Sequence, residues 1–103
     1  MCFLLIRHTV KNYSQWKPIY DEHVAARKAA GCRNEQLFRS LSDPNEVTIL
    51  FEWDNANDAE IFVESEDLRN TMQRAGVIGQ PEVRYLEQLE KKSLVIGRVL
   101  RAG

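Results

Sequence analysis

Apolar and polar positions change period several times along this chain, and each change marks the end of an element. Residues 2–10 (CFLLIRHTV) are short, apolar and partly β-branched, and end at the polar pair Lys11-Asn12, which predicts a strand. From Asn12 the period lengthens: Tyr13, Trp16, Tyr20, His23, Val24 and Arg27 share one helical stripe, while Lys17, Asp21, Glu22 and Lys28 fall largely elsewhere. The spacing predicts one long helix, capped by Asn12 or Ser14, with Pro18 near its first turn and Gly31 as its left-handed stop. Residues 36–41 and 46–54 read as strands of an antiparallel hairpin around Ser42-Asp43-Pro44-Asn45, where Pro44 presets φ and the Asx side chains bond back to the backbone. A second helical stretch begins at Asp54 or Asn55 with Ala59, Phe62 and Val63 inward. Ser65 restarts it, and Leu68, Met72 and Ala75 carry it to a stop at Gly76. Residues 82–89, after Pro81, alternate as a last strand.

This order, βαββαβ, predicts an α+β domain of ferredoxin-like topology, with both helices on one face of a four-stranded antiparallel sheet. Alternate strand positions assign Leu4, Ile6, His8, Val10, Val47, Ile49, Phe51, Trp53, Val83 and Tyr85 to the helix-covered face. The opposite face carries Phe3, Leu5, Phe38, Leu50 and Leu86, interrupted by Arg7, Thr48 and Glu52. An apolar patch of that kind predicts a homodimer joined sheet to sheet. The domain is expected over residues 1–89. The tail, 90–103, holds Leu94, Val95, Ile96, Val99 and Leu100, too apolar for a plain linker, and is expected to add a strand or to contact the dimer partner.

Composition narrows the function classes. With 103 residues there is room for one core, and a formal net charge of -1 without a Lys/Arg cluster argues against nucleic acid as a partner. The apolar start Cys2–Ile6 is too short for a membrane span and lacks the charged flank of a signal peptide, so a cytoplasmic protein is expected, with no membrane partner. Cys2 and Cys32 have neither metal-ligand spacing nor a disulfide framework, as suits a reducing compartment. Phosphate loops, nucleophile elbows and zinc motifs are absent from the sequence, and no metal is expected.

The aromatic helix N-Y-S-Q-W-K-P-I-Y (Asn12 to Tyr20), the junction F-E-W-D-N-A-N-D-A (Phe51 to Ala59) and the segment S-E-D-L-R-N-T-M (Ser65 to Met72) resemble the antibiotic biosynthesis monooxygenase-like group of the dimeric α+β barrel superfamily. The likeness runs roughly from Met1 to Leu89. It implies a sheet-to-sheet dimer with a pocket between each sheet and its helices, in a superfamily that includes cofactor-free oxygenases of aromatic polyketides and quinols and haem-degrading oxygenases. Haem-degrading members pair a first-strand Asn with a second-helix Trp and a later haem-ligating His. Here Phe62 and Met72 stand at the last two places and the first strand offers Ile6, Arg7 or His8, so the resemblance does not extend to haem. The Asn of the polyketide-oxidising members is replaced by Ile49, while the junction Trp53 is kept as a pocket residue.

Trp16, Tyr20 and His23 on the first helix and His8 and Trp53 on the sheet are expected to converge. A cofactor-free oxygenase needs a base to form a substrate anion that can reduce O2, and donors to hold that anion. His8 or His23 is the candidate base. Trp16, Tyr20, Trp53, Phe62 and Met72 are candidate substrate-binding residues for a small hydrophobic molecule, and no cofactor is expected. Plain core packing explains the same aromatic stripe, which leaves a non-catalytic dimeric ligand-binding or interaction domain as the alternative. Arg27 and Arg39 are read as solvated or ion-paired in preference to closing a pocket mouth.

Overall fold

Strand residues that alternate between apolar and polar can lie flat only if one face is covered, and the computed structural model, which describes residues 2–95, shows how this chain covers it. The elements are β1 (Cys2–Val10), α1 (Tyr13–Glu22), α2 (Val24–Ala30), β2 (Cys32–Arg39), β3 (Glu46–Trp53), α3 (Ala56–Val63), α4 (Glu66–Ala75) and β4 (Val77–Glu87). The four strands form one antiparallel sheet in the order β2-β3-β1-β4, the ferredoxin-like arrangement. Leu4, Ile6, His8 and Val10 of β1 and Val47, Ile49, Phe51 and Trp53 of β3 are all buried beneath the helices. Val83 is partly buried, but Tyr85, expected on the same face, is 42% exposed because β4 is an edge strand that the helices do not fully cover.

The expected single first helix is two. Asn12 caps α1, its side-chain oxygen accepting the Gln15 N–H at 3.1 Å, so Pro18 lies inside α1, beyond its first turn. At His23 the backbone leaves the helical region (φ -82°, ψ 0°), and its N–H is shared between the Ile19 and Tyr20 carbonyls. The cause is Arg27. Its Nη1 donates to the Tyr20 carbonyl at 2.9 Å, inserting a side chain into the helical ladder, one of the recognised origins of a kink. Trp16, Tyr20, His23 and Arg27 stay buried, while Val24, one position off that stripe, is 48% exposed.

Other starts and stops follow local chemistry. Asn55 and Ser65 cap α3 and α4 by accepting the Asp58 and Leu68 N–H groups, and Gly31 and Gly76 end α2 and α4 with positive φ. In the hairpin turn, Asp43 Oδ1 accepts the Asn45 N–H at 2.9 Å, an Asx turn. Both edge strands begin earlier than their patterns suggest. β2 starts at Cys32 and not at residue 36, because the Cys32–Glu35 stretch pairs with β3 through its backbone although its side chains do not alternate. β4 starts at Val77 and contains Pro81, which an edge strand tolerates. Leu41, expected at the end of a strand, is fully exposed in the turn.

The uncovered face carries Phe3, Leu5 and Leu50, partly buried, with Phe38 and Leu86 exposed. Leu5 pairs with Leu50, and Phe3 with Leu86, so four of them adjoin. Beyond Glu87 the chain has no helix or strand through Val95, and Leu89, Leu94 and Val95 are exposed. The remaining tail residues lie outside the described ones. Among the described residues no helix is long and apolar enough to cross a membrane.

Arg27 is 3% exposed, and its guanidinium meets Glu35 through two bonds of 2.7 and 3.0 Å. Arg27→Met should lower the unfolding free energy by about 2–4 kcal/mol, since it leaves the partly buried carboxylate unpaired. Adding Glu35→Gln should recover part of that loss in urea titrations, because the orphaned charge is then gone.

Candidate functional site

The site is built from the inner face of the sheet and the helix stripes packed on it. β1 presents Ile6 and His8, and β3 presents Ile49 and Phe51. The α1–α2 stripe brings Trp16, Tyr20, His23 and Arg27 over them, and α3 adds Phe62. From α4, the helical spacing of Leu68, Thr71, Met72 and Ala75 turns all of them inward. Between these walls lies a cavity of about 40 Å³. Cavities that take up a single benzene ring measure about 150 Å³, so in this conformation the space holds a few waters at most. Among the described residues no space of a few hundred Å³ lies between these walls.

Six of the seven residues singled out from the sequence line this cavity: His8, Trp16, Tyr20, His23, Phe62 and Met72. Trp53 does not. Phe62 stands beside it with ring centroids 5.2 Å apart, and the same Phe62 ring lies 6.1 Å from His23, so Phe62 fills the space through which Trp53 would have reached the histidines. Sequence reasoning gave no role here to Arg27 or Thr71. The signal for Thr71 was its place three residues after Leu68, on the stripe that carries Met72 and Ala75. For Arg27 it was the stripe itself, where a charged residue had been assigned to solvent or an ion pair, and the ion pair is what is found.

Polar atoms in this interior are only partly satisfied. Both ring nitrogens of His8, the Tyr20 hydroxyl and the Trp53 Nε1 are buried without a hydrogen-bond partner among the described residues. Such atoms are uncommon in folded proteins, and each costs about 1–3 kcal/mol when left unpaired. His8 meets Trp16 edge to face at 5.7 Å, and Trp16 stacks on Tyr20 at 4.8 Å. Arg27 closes the far side, its guanidinium carbon 4.0 Å from the centre of the Tyr20 ring.

Burial sets the protonation of these groups. It pulls the His8 imidazole from its ordinary 6.5 down to about 4, so the ring is neutral at pH 7 and keeps a lone pair. Burial likewise pushes the Tyr20 phenol above its ordinary value, with the Arg27 charge opposing the rise, so the hydroxyl remains a donor. His23 differs: its Nε2 is held by Asp67 Oδ2 at 2.6 Å, a carboxylate that is itself mostly exposed. Because a carboxylate oxygen only accepts, Nε2 is the donor in this contact. The arrangement supplies a neutral base and a hydroxyl donor inside apolar walls. Among the described residues no group of His, Cys, Asp and Glu is clustered to hold a metal ion.

Comparison with known proteins gives the relatives of this fold. The model of the family described as antibiotic biosynthesis monooxygenase matches residues 7–74. Among curated proteins no relative matches the sequence. An antibiotic biosynthesis monooxygenase of known structure superposes with a TM-score of 0.68 at 18% identity, covering 87% of this chain and 100% of its own. SnoaB, a cofactor-independent oxygenase from Streptomyces nogalater, superposes at 0.70 and 12% identity, covering 91% of this chain and 96% of its own. Rv0793 from Mycobacterium tuberculosis gives 0.67 at 16% identity, with 89% of this chain and 98% of its own covered. At these identities the structural likeness is one of fold.

A histidine buried neutral ties stability to pH. Between about pH 4 and 6.5 the unfolded chain binds a proton at His8 that the folded chain refuses, so this contribution is complete above pH 6.5 and is lost as pH falls toward 4. The loss amounts to about 3 kcal/mol. Denaturant titrations of the protein and of His8→Phe at pH 7 and pH 4.5 should therefore show the variant losing less stability on acidification. Equal losses would mean that His8 is not held neutral in the fold.

Proposed function

We propose that this chain, which belongs to the antibiotic biosynthesis monooxygenase family, binds a small hydrophobic, aromatic molecule between its sheet and helices and oxidises it with O2 without a bound cofactor. The observation that carries this reading is the pair of unpartnered polar groups, His8 and Tyr20, facing a cavity whose other walls are largely apolar. A base that is neutral at pH 7 can take a proton from an activated phenol or methylene. Burial makes the imidazolium costly by itself, but a substrate anion formed beside it supplies the missing countercharge. The Tyr20 hydroxyl is suited to hold the anion's oxygen, and Trp16 and Phe62 to flank its ring. The anion gives an electron to O2, the two recombine, the imidazolium returns its proton to the peroxide so formed, and loss of water leaves a carbonyl. One oxygen atom enters the product and the other leaves as water, with every electron drawn from the substrate.

His23, oriented by Asp67, is the second candidate base, and Met72 belongs to the binding wall. Trp53 is assigned a supporting place behind Phe62. The small cavity favours the other reading in one respect: a non-catalytic dimeric domain needs no room for turnover. Oxygen uptake with a panel of hydroxylated naphthalenes and anthrones separates the two. Under the oxygenase reading, His8→Ala removes at least nine-tenths of the uptake while the thermal midpoint stays within a few degrees. A loss of stability with no uptake by either protein would leave His8 a packing residue and sink the catalytic reading.

The same proposal makes the protein a cytoplasmic homodimer paired through the open sheet face. Leu5 and Leu50 lie at its centre, and the ion pairs of Arg7 with Glu46 and Glu82 beside them put both signs of charge on one surface, as a self-complementary two-fold contact requires. The exposed Leu94 and Val95 of the tail, 90–103, and Leu89 just before it, are assigned to the partner. Leu50→Asp should convert the dimer to monomer or aggregate in sedimentation at micromolar concentration, and a wild-type chain that sediments as a monomer would remove this part of the proposal.

A further inference from the structure

Beside the inner cavity the sheet is interrupted. β1 pairs with β4 in one register from Cys2 to Arg7, where Arg7 faces Glu82, and resumes with Thr9 facing Ile78. Gly79, Gln80 and Pro81 therefore bulge out opposite His8 alone. Gly79 has φ +72°, a conformation that favours glycine, and Pro81 has no N–H to give to the ladder. The backbone is thus displaced next to the one strand residue whose two ring nitrogens are both buried and unpartnered.

Two further spaces lie on this side, between α4 and the bulge. One, of about 170 Å³, has Val63, Gln80, Pro81 and Val83 among its walls and shares Ile6, Leu68 and Met72 with the inner cavity. The outer one, of about 510 Å³, has Arg69, Gln73 and Gln80 on its rim and no acidic residue in its lining. Met72 alone borders all three. Of the residues separating the inner cavity from its neighbour, Ile6 is fixed in the sheet and Leu68 is branched, whereas Met72 is unbranched, partly exposed and able to swing without moving backbone.

We propose that the inner cavity and the cleft beneath the bulge are two halves of one elongated binding site, divided by the Met72 side chain, and that its ligand is a flat apolar molecule with a hydrogen-bonding oxygen at the inner end and an acidic group at the outer end beside Arg69. The proposal rests on the reading of the inner cavity as a ligand site. It also accounts for the smallness of that cavity: with Met72 in place the space is cut off from the volume an aromatic ring needs. A ligand entering past the bulge brings an oxygen to His8 and Tyr20, displaces Met72, and leaves its acidic end where Arg69 and the amides of Gln73 and Gln80 meet water.

Calorimetry and stopped-flow tryptophan fluorescence with 2-naphthol and 6-hydroxy-2-naphthoic acid test this. The acid should bind more tightly than the naphthol, and Arg69→Gln should weaken the acid at least fivefold while leaving the naphthol unchanged. Met72→Trp should weaken both about tenfold, and Met72→Ala should speed association of both. If Met72→Trp loses stability, Met72→Ala carries the decision. Should both Met72 variants bind like the wild type while His8→Ala abolishes binding, the ligand reaches His8 by another path, and the divided site falls although the oxygenase reading stands. If Arg69→Gln leaves the acid unaffected, the outer acidic group is wrong. If neither compound binds in a manner that depends on His8, the inner cavity is no ligand site, and both proposals fall together.

Discussion

A guanidinium with almost no access to water must find partners in every direction, and in this chain meeting that demand arranges the interior. Arg27 reaches Glu35 on β2 with two bonds, the Tyr20 carbonyl with a third, and the Tyr20 ring with its flat face. The bond to the carbonyl breaks what would otherwise be one helix. The pair with Glu35 fastens the second half of it to an edge strand whose side chains give little apolar reason to stay. The contact with Tyr20 fixes a stack that continues through Trp16 to the edge of His8. Removing one partner of a pair whose guanidinium is buried costs as much as a large core truncation, so these geometries hold together.

That rigidity matters because polar groups at both ends of the stack, the Tyr20 hydroxyl and the His8 ring nitrogens, are unsatisfied. A core chosen for stability alone would not bury an imidazole and a phenol hydroxyl without partners on either side of Trp16, since each raises the energy of the folded chain. Here apolar walls hold them, burial keeps the imidazole neutral, and both residues border one small cavity. A site that must create a substrate anion benefits from this state, because the charge then appears where no water competes for it.

The sheet is loaded unequally. β1 and β3, at the centre, alternate strictly and carry the core, while β2 and β4 at the edges are polar or irregular. Irregularity at an edge is tolerated because only one neighbour has to match it, and β4 uses that freedom for the bulge opposite His8. The uncovered face follows from the same topology. With the helices on one side, Leu5, Leu50 and Phe3 remain on the other, and no helix or strand among the described residues lies over them.

Period and punctuation in the sequence were sufficient for the element order, the cap at Ser65, a choice of two nearby candidates each for the caps at Asn12 and Asn55, the stops at Gly31 and Gly76, and the inward parity of β1 and β3. These are local: each depends on one residue's hydrogen bond, a permitted φ, or a repeat of two or 3.6 residues. The same periodicity puts His8, Trp16, Tyr20 and His23 on one side of the sheet. Only the tertiary structure decided the rest. The break at His23 comes from a side chain four residues later bonding back to Tyr20, the early start of β2 from backbone pairing that its polar side chains do not reveal, and the bulge from a register shift between β1 and β4. Trp53 sits behind Phe62, and the cavity is small, because side chains from different elements compete for the same volume. A one-dimensional pattern tells which way a residue faces, but not which of its neighbours arrives first.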